Sequence, residues 1–222
     1  MTRAEETALL ERADVVVAIQ DREAAAFREM LPQKRVVTVP MPLTPQPQPA
    51  HAEIPGRCLF VGGYSGHNIE AVQWLLSEIW PFVHVAQPQA ELVIAGTVGR
   101  AVTNPPPGVR AIGPVENLKT EYAASSVCVV PLPLGTGLKI KLVEAMSYGR
   151  AVLTTPAGAE GFPELEAGHL AIVEGEARAF AEQLVRLLGS ASERAEVVRR
   201  QLAWIEKFLN PEAALAQLAA LL

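Results

Sequence analysis

Short apolar runs recur along this chain with helix-patterned segments between most of them, and that alternation narrows the fold more than any other feature. DVVVAI (14–19), RVVTVP (35–40), RCLFVGG (57–63), ELVIAG (91–96), VRAIG (109–113), SVCVVPL (126–132), AVLTTP (151–156) and LAIV (170–173) read as strands. Few of them alternate polar with apolar residues, so they are expected to be buried on both faces. Strands of that kind, joined through helices by right-handed crossovers, make an α/β domain with a doubly wound parallel sheet. Ligands of such sheets bind beyond the carboxyl ends of the strands.

The intervening segments fit this plan. A helix from Asp21 to Leu31 is stopped by Pro32. Asn68 is placed to cap a helix whose apolar stripe is Ile69, Val72, Leu76 and Ile79, until Pro81 interrupts it. ENLKTEYAAS is a brief helix, and LKIKLVEAMSYG is a helix closed by Gly149. The carboxyl-terminal tail is helical, with a first helix from Ala177 to Leu188. The capping box Ser190-x-x-Glu193 then opens a helix that turns Val198, Leu202, Ile205 and Phe208 or Leu209 inward. Asn210-Pro211 starts the last helix, with a cap and a proline at the first position. Trp74, Trp80 and Trp204 fall on helical faces and belong to the core.

One boundary stands out. Pro42, Pro45, Pro47, Pro49 and Pro55 crowd the segment MPLTPQPQPAHAEIPG, which reads as an extended, semi-rigid linker. It divides the chain into residues 1–54 and 55–222. The first part holds two strands and two helices, too little for an independent domain.

Composition excludes several functions. Half of the 222 residues are hydrophobic and 19% are charged, which supports a large core. A net charge of −5 argues against binding nucleic acid through phosphates. There is no run of 18 apolar residues, and the opening MTRAEETALLER is charged throughout, so neither a transmembrane helix nor a signal peptide is expected. The expected location is the cytoplasm, with peripheral membrane attachment of a full-length protein left open. Cys58 and Cys128 each sit in an apolar run and are expected to be reduced, buried thiols. His51, His67, His84 and His169 have no metal-ligand spacing, so no metal site is expected.

Chemistry is expected at the strand ends. The turn Gly62-Gly63-Tyr64-Ser65-Gly66 leads into the helix at Asn68, so its amides and the positive end of that helix suit an anion. It is not the dinucleotide fingerprint, and taken alone it reads more simply as a tight turn without a ligand. Leu134-Gly135-Thr136-Gly137 precedes the helix carrying Lys141 and Glu144, three residues apart on one face. A lysine there meets a diphosphate, and a carboxylate beside it accepts hydrogen bonds from sugar hydroxyls. The alternative is a solvated ion pair with Thr136 as cap. Thr154 to Gly161 and Gly113-Pro114-Val115 lie at further strand ends and serve as ordinary loops in the plainer reading. His67 is either a phosphate contact or a structural residue. All four segments are expected to converge on one crevice.

CLFVGGYSGHNIEAVQWL, PQAELVIAGTVG and GVRAIGPVENLKTEYAASSVCVVPLPLGTGLKIKLVEAMSYGRAVLTTPAGAEGF together resemble the nucleotide-sugar-binding, carboxyl-terminal half of GT-B-fold glycosyltransferases. The likeness is closest to the large group of retaining hexosyl- and mannosyltransferases. It covers about residues 55 to 222 and is most specific from Val127 to Phe162. Residues before the linker resemble the last strand–helix units of the amino-terminal, acceptor-binding half, and residues 211–222 resemble the helix that crosses back towards it. The family signature is two glutamates separated by seven residues. Glu144 matches the second, which the resemblance implies holds the ribose, while Thr136 replaces the first. Lys141 matches the basic residue of the pattern G-x-G-x-x-x-K-x-x-E-A and by that likeness stabilises the leaving diphosphate. The basic residue usual after the first glycine turn is absent, with Tyr64 and His67 in its region.

The implied function is transfer of a hexose-type sugar from a uridine- or guanosine-diphosphate sugar to an acceptor, with no cofactor or metal and no Asp-x-Asp motif. Gly62, Gly63, His67, Asn68, Val115, Thr136, Gly137, Leu138, Lys141 and Glu144 are the expected donor-binding residues. The expected partners are the donor and an amino-terminal acceptor domain beyond this chain. Two other classes fit the same residues: a non-catalytic nucleotide-sugar-binding module, and a GT-B-fold nucleotide-sugar epimerase.

Overall fold

The computed structural model describes residues 2–134, 138–162, 165, 171, 172 and 176–221. In chain order the elements are α1 (Arg3–Leu10), β1 (Val15–Ala18), α2 (Asp21–Met30), β2 (Arg35–Thr38), β3 (Arg57–Val61), α3 (Gly66–Trp74) and α4 (Trp80–Ala86). There follow β4 (Glu91–Ala95), β5 (Val109–Gly113), α5 (Leu118–Ala124), β6 (Val127–Val130), α6 (Ile140–Ser147), β7 (Ala151–Thr154) and α7 (Pro156–Ala159). The last are β8 (Ala171–Ile172), α8 (Ala177–Gly189), α9 (Ala191–Phe208) and α10 (Pro211–Ala219).

The chain forms two compact units: Met1–Thr44 with Glu206–Leu222, and Pro45–Ile205. In the first, β1 and β2 pair in parallel and pack with α2 around Val16, Ala18, Ala24, Leu31 and Val36. The carboxyl terminus completes this unit. Thr38 N donates to Gln217 Oε1 at 2.9 Å, Leu43 N to Leu209 O at 2.6 Å, and Asn210 caps α10 as expected.

The second unit is built on a parallel sheet of order β5-β4-β3-β6-β7-β8. Consecutive residues Cys58, Leu59 and Phe60 on β3, and all four of β6, are buried. Successive strand side chains point to opposite faces, so both faces are covered. The order grows outward in one direction from β3 and in the other from β6. The topological switch point therefore lies between these two strands, and their carboxyl ends open a crevice. Cys58 and Cys128 are free and buried. Burial pushes the Cys58 thiol well above its ordinary range and the Cys128 thiol up to about 12.

Several local expectations are revised. Pro81 does not end the helix after β3. A π-turn over Leu75–Ile79 intervenes, with Trp80 N bonded to Leu75 O, and Pro81 occupies the first turn of α4, where no amide donor is needed. The buried stripe holds Leu75 rather than Leu76, beside Ala71, Val72 and Ile79. Asn68 does not cap α3; that position is Ser65. On α9 the buried set is Val197, Gln201, Trp204 and Ile205, one residue out of register with the expected Val198 and Leu202. The proline-rich segment is not a free spacer either. From Pro45 it belongs to the second unit: Gln46 N and Gln48 N bond to Ser147 O and Tyr148 O, and Ile54 N to Ala124 O. Beneath it Arg150, fully buried, donates to Glu53 Oε1 at 2.6 Å, and Arg194 donates to Glu53 Oε2 at 3.1 Å.

Candidate functional site

The loops after β3, β4 and β5 and the start of α6 enclose a cavity of about 580 Å³ at the carboxyl edge of the sheet. Of the expected residues, Gly62, Gly63, His67, Asn68, Val115, Leu138, Lys141 and Glu144 line it. Thr136 and Gly137 lie outside the described residues. Contrary to expectation, no residue of Thr154 to Gly161 lines the cavity, although the charge of Glu160 is felt by Lys139 in its wall. Thr154 Oγ1 donates to Val130 O at 2.9 Å and Thr155 Oγ1 to Leu132 O at 2.5 Å, so both hydroxyls are used within the core.

The glycine turn is shaped by contacts the sequence does not announce. Gly96, at the end of β4, has φ +97°, and a Cβ there would lie 2.2 Å from Gly62 O. The next residue, Thr97, accepts a hydrogen bond from Tyr64 N through Oγ1 at 2.8 Å. The two strand ends thus lock each other. Asn68 reaches back from the first turn of α3, donating through Nδ2 to Gly63 O at 2.9 Å. Its Oδ1 accepts from Lys141 Nζ, so one amide side chain ties the glycine turn to α6.

Lys141 is half-buried, with Nζ 4.8 Å from the centroid of the Phe60 ring. Burial first, and the charge of Lys139 second, lower its ammonium to about 8. One turn further along α6, Glu144 Oε2 accepts from the buried Tyr122 hydroxyl at 3.1 Å. Tyr122 stacks on Tyr148 with ring centroids 4.9 Å apart. Burial, with the neighbouring carboxylate, holds the phenol protonated well above its usual range. Glu144 is thereby oriented while it still faces the cavity.

Lys139 was not anticipated. It is 8% exposed and lines the same cavity. Burial lowers its ammonium, and the charge of Glu160 opposes that shift. A helix beginning at Leu138 places residues 139 and 141 on different faces. In the structure α6 begins at Ile140 and Lys139 stands before it with φ −93° and ψ 79°, so both lysines reach one wall. Ser65, Gly96, Thr97 and Pro114 also line the cavity beyond expectation.

A doubly wound sheet with a glycine turn, a lysine and an oriented carboxylate gathered at its switch point defines a Rossmann-like domain suited to a ligand with both anionic and hydroxyl groups. The chain belongs to the glycosyl transferases group 1 family, whose model matches residues 55–190. It is 25% identical over 161 residues to an uncharacterised 44.6 kDa protein of the cps region of Klebsiella pneumoniae, covering 67% of this chain and 41% of that protein. Among solved structures, a mutant of S. aureus TarM in complex with Fondaparinux, α-GlcNAc-glycerol and UDP superposes with TM-score 0.77 at 13% identity, over 100% of this chain and 46% of that one. Sucrose-phosphate synthase of Thermosynechococcus elongatus gives TM-score 0.75 at 21% identity, over 99% and 60%. HepE of Anabaena, in complex with UDP and glucose, gives 0.71 at 16%, over 100% and 67%. The fold is that of GT-B glycosyltransferases, with a carboxyl-terminal-type domain. The chain spans about two fifths of its curated relative and about half of TarM.

Proposed function

We propose that the second unit binds the nucleoside diphosphate of a sugar donor in the cavity beside Gly63 and Glu144. Within a longer glycosyltransferase it passes a hexose-type sugar from that donor to an acceptor held by another domain. The observation that carries this reading is the meeting of the glycine turn, Lys141 and Glu144 around one cavity at the switch point. Breaking the bond between sugar and phosphate loads negative charge on the leaving diphosphate. The amides of the turn, the positive end of α3 and the Lys141 ammonium stabilise that charge where it develops. The outward lone pairs of Glu144 accept hydrogen bonds from ribose hydroxyls while Tyr122 holds the carboxylate in place. Retention of configuration and independence of metal ions belong to the same proposal, the second because fixed cationic groups supply the charge that a metal otherwise provides.

Calorimetry with uridine, guanosine and adenosine diphosphates and their sugar conjugates tests the proposal, with and without a chelator. One base series is expected to bind, unaffected by chelation. Lys141→Ala is expected to weaken the diphosphate more than the free nucleoside, and Glu144→Ala to weaken both. A folded protein that answers to none of these ligands at millimolar concentration overturns the proposal.

A further inference from the structure

We infer that Lys139 is a second anion-binding residue of this site, sharing the diphosphate with Lys141 from the same wall of the cavity. The inference rests on the function proposed above and adds a residue that neither the motif nor the fold assigns. Among the described residues, the cavity lining contains two lysines, Lys139 and Lys141, one carboxylate, Glu144, and one histidine, His67. The turn after β3 brings Tyr64, His67 and Asn68 but no lysine or arginine. Positive side chains are therefore concentrated on the α6 side.

Keeping two ammonium groups close together in a largely buried wall is costly, because desolvation and mutual repulsion both oppose it. Both penalties are present here: burial lowers each lysine, and Lys139 lowers Lys141 further. The charged and titratable groups around the pair are Glu160 beyond α7, Glu144 on α6 with Tyr122 behind it, and His67 on α3. Glu144 is engaged by Tyr122. A ligand carrying two or more negative charges relieves the repulsion, whereas a neutral nucleoside does not.

The test is diphosphate binding by the 222-residue chain and by Lys139→Met, Lys139→Gln and Lys139→Arg, measured from pH 6.5 to 9.5. The probes are uridine and guanosine diphosphates and their nucleosides. With the cavity's lysines charged, Lys139→Met and Lys139→Gln are expected to weaken the diphosphate about tenfold near pH 7 and leave the nucleoside within about twofold. Lys139→Arg keeps the charge and is expected to stay within about threefold. The parent's affinity declines as pH rises through about 8, where Lys141 loses its proton. Removing Lys139 takes away a repelling charge, so in Lys139→Met that decline moves to higher pH. That shift reports the repulsion between the two lysines, while the separation of diphosphate from nucleoside reports the contact with the ligand. Parent binding with unchanged diphosphate affinity in both neutral variants, or equal loss of nucleoside and diphosphate, overturns the inference and leaves the proposed function standing. A parent that binds no diphosphate overturns both. Should the neutral variants misfold, reductive methylation of the parent read by mass spectrometry decides: uridine or guanosine diphosphate is expected to protect Lys139 and the nucleoside not, and equal labelling with either overturns the inference.

Discussion

Lys141 carries an ammonium held at about 8 against an ordinary 10.5, and a group depressed in this way acts on stability as well as on binding. Between those two values the unfolded chain binds more protons than the folded one, so stability rises with pH there. Below about 8 the charged amine is retained in the fold at a cost. Lys141→Met is therefore expected to stabilise the protein by about 1–2 kcal/mol at pH 7, with the gain fading as pH approaches 10.5. Urea denaturation at several pH values checks it; a destabilised variant at pH 7 refutes the assignment of Lys141 as a strained functional cation. At this scale the sequence was informative for Lys141 and Glu144, because three-residue spacing places them on one helical face wherever the helix begins. Lys139 escaped because its position depends on a boundary: only a helix that starts at Ile140 brings it beside Lys141.

Between β3 and β4 the backbone itself does the positioning. Gly96 combines φ +97° with a Cβ position 2.2 Å from Gly62 O, so Gly96→Ala must either move the glycine turn or strain it. A loss on the order of 3 kcal/mol in chemical denaturation is expected, along with loss of ligand binding. The strap before β3 gives a second expectation. Glu53 is shared by Arg150 and Arg194, and Arg150 is only 1% exposed. Glu53→Ala leaves buried guanidinium charge uncompensated and is expected to cost about 3–5 kcal/mol. A loss under about 1 kcal/mol shows that water or another acceptor reaches Arg150. Neither feature was legible beforehand. ELVIAG shows a glycine without its φ, and proline content alone reads as a spacer. The π-turn before Pro81 belongs with these, since a proline in a helical pattern reads as a stop until tertiary packing of Leu75, Ile79 and Trp80 shows the helix continuing.

At the scale of the whole molecule, the second unit accounts for most of the chain, while among the described residues the sheet of the first unit consists of β1 and β2. Holding donor and acceptor together supplies effective molarities of roughly 10⁵–10⁸ M in well-oriented reactions, and a wall for the acceptor is needed to gain them. These 222 residues alone are therefore expected to transfer little or no sugar and at most to hydrolyse the donor slowly. Radiolabelled nucleotide-sugars with a broad acceptor set check this; robust turnover gives the first unit a catalytic share that its two strands do not suggest. No described helix is long and apolar enough to cross a membrane. By itself the sequence determined the parallel α/β class, the strands, the glycine turn, and Lys141 with Glu144, because unbroken apolar runs and helical spacing are local properties. Which loops close the cavity, where the proline-rich segment belongs and which lysines share a wall were decided only by the tertiary structure. Each depends on contacts between segments far apart in the chain, and the order β5-β4-β3-β6-β7-β8 brings those segments together.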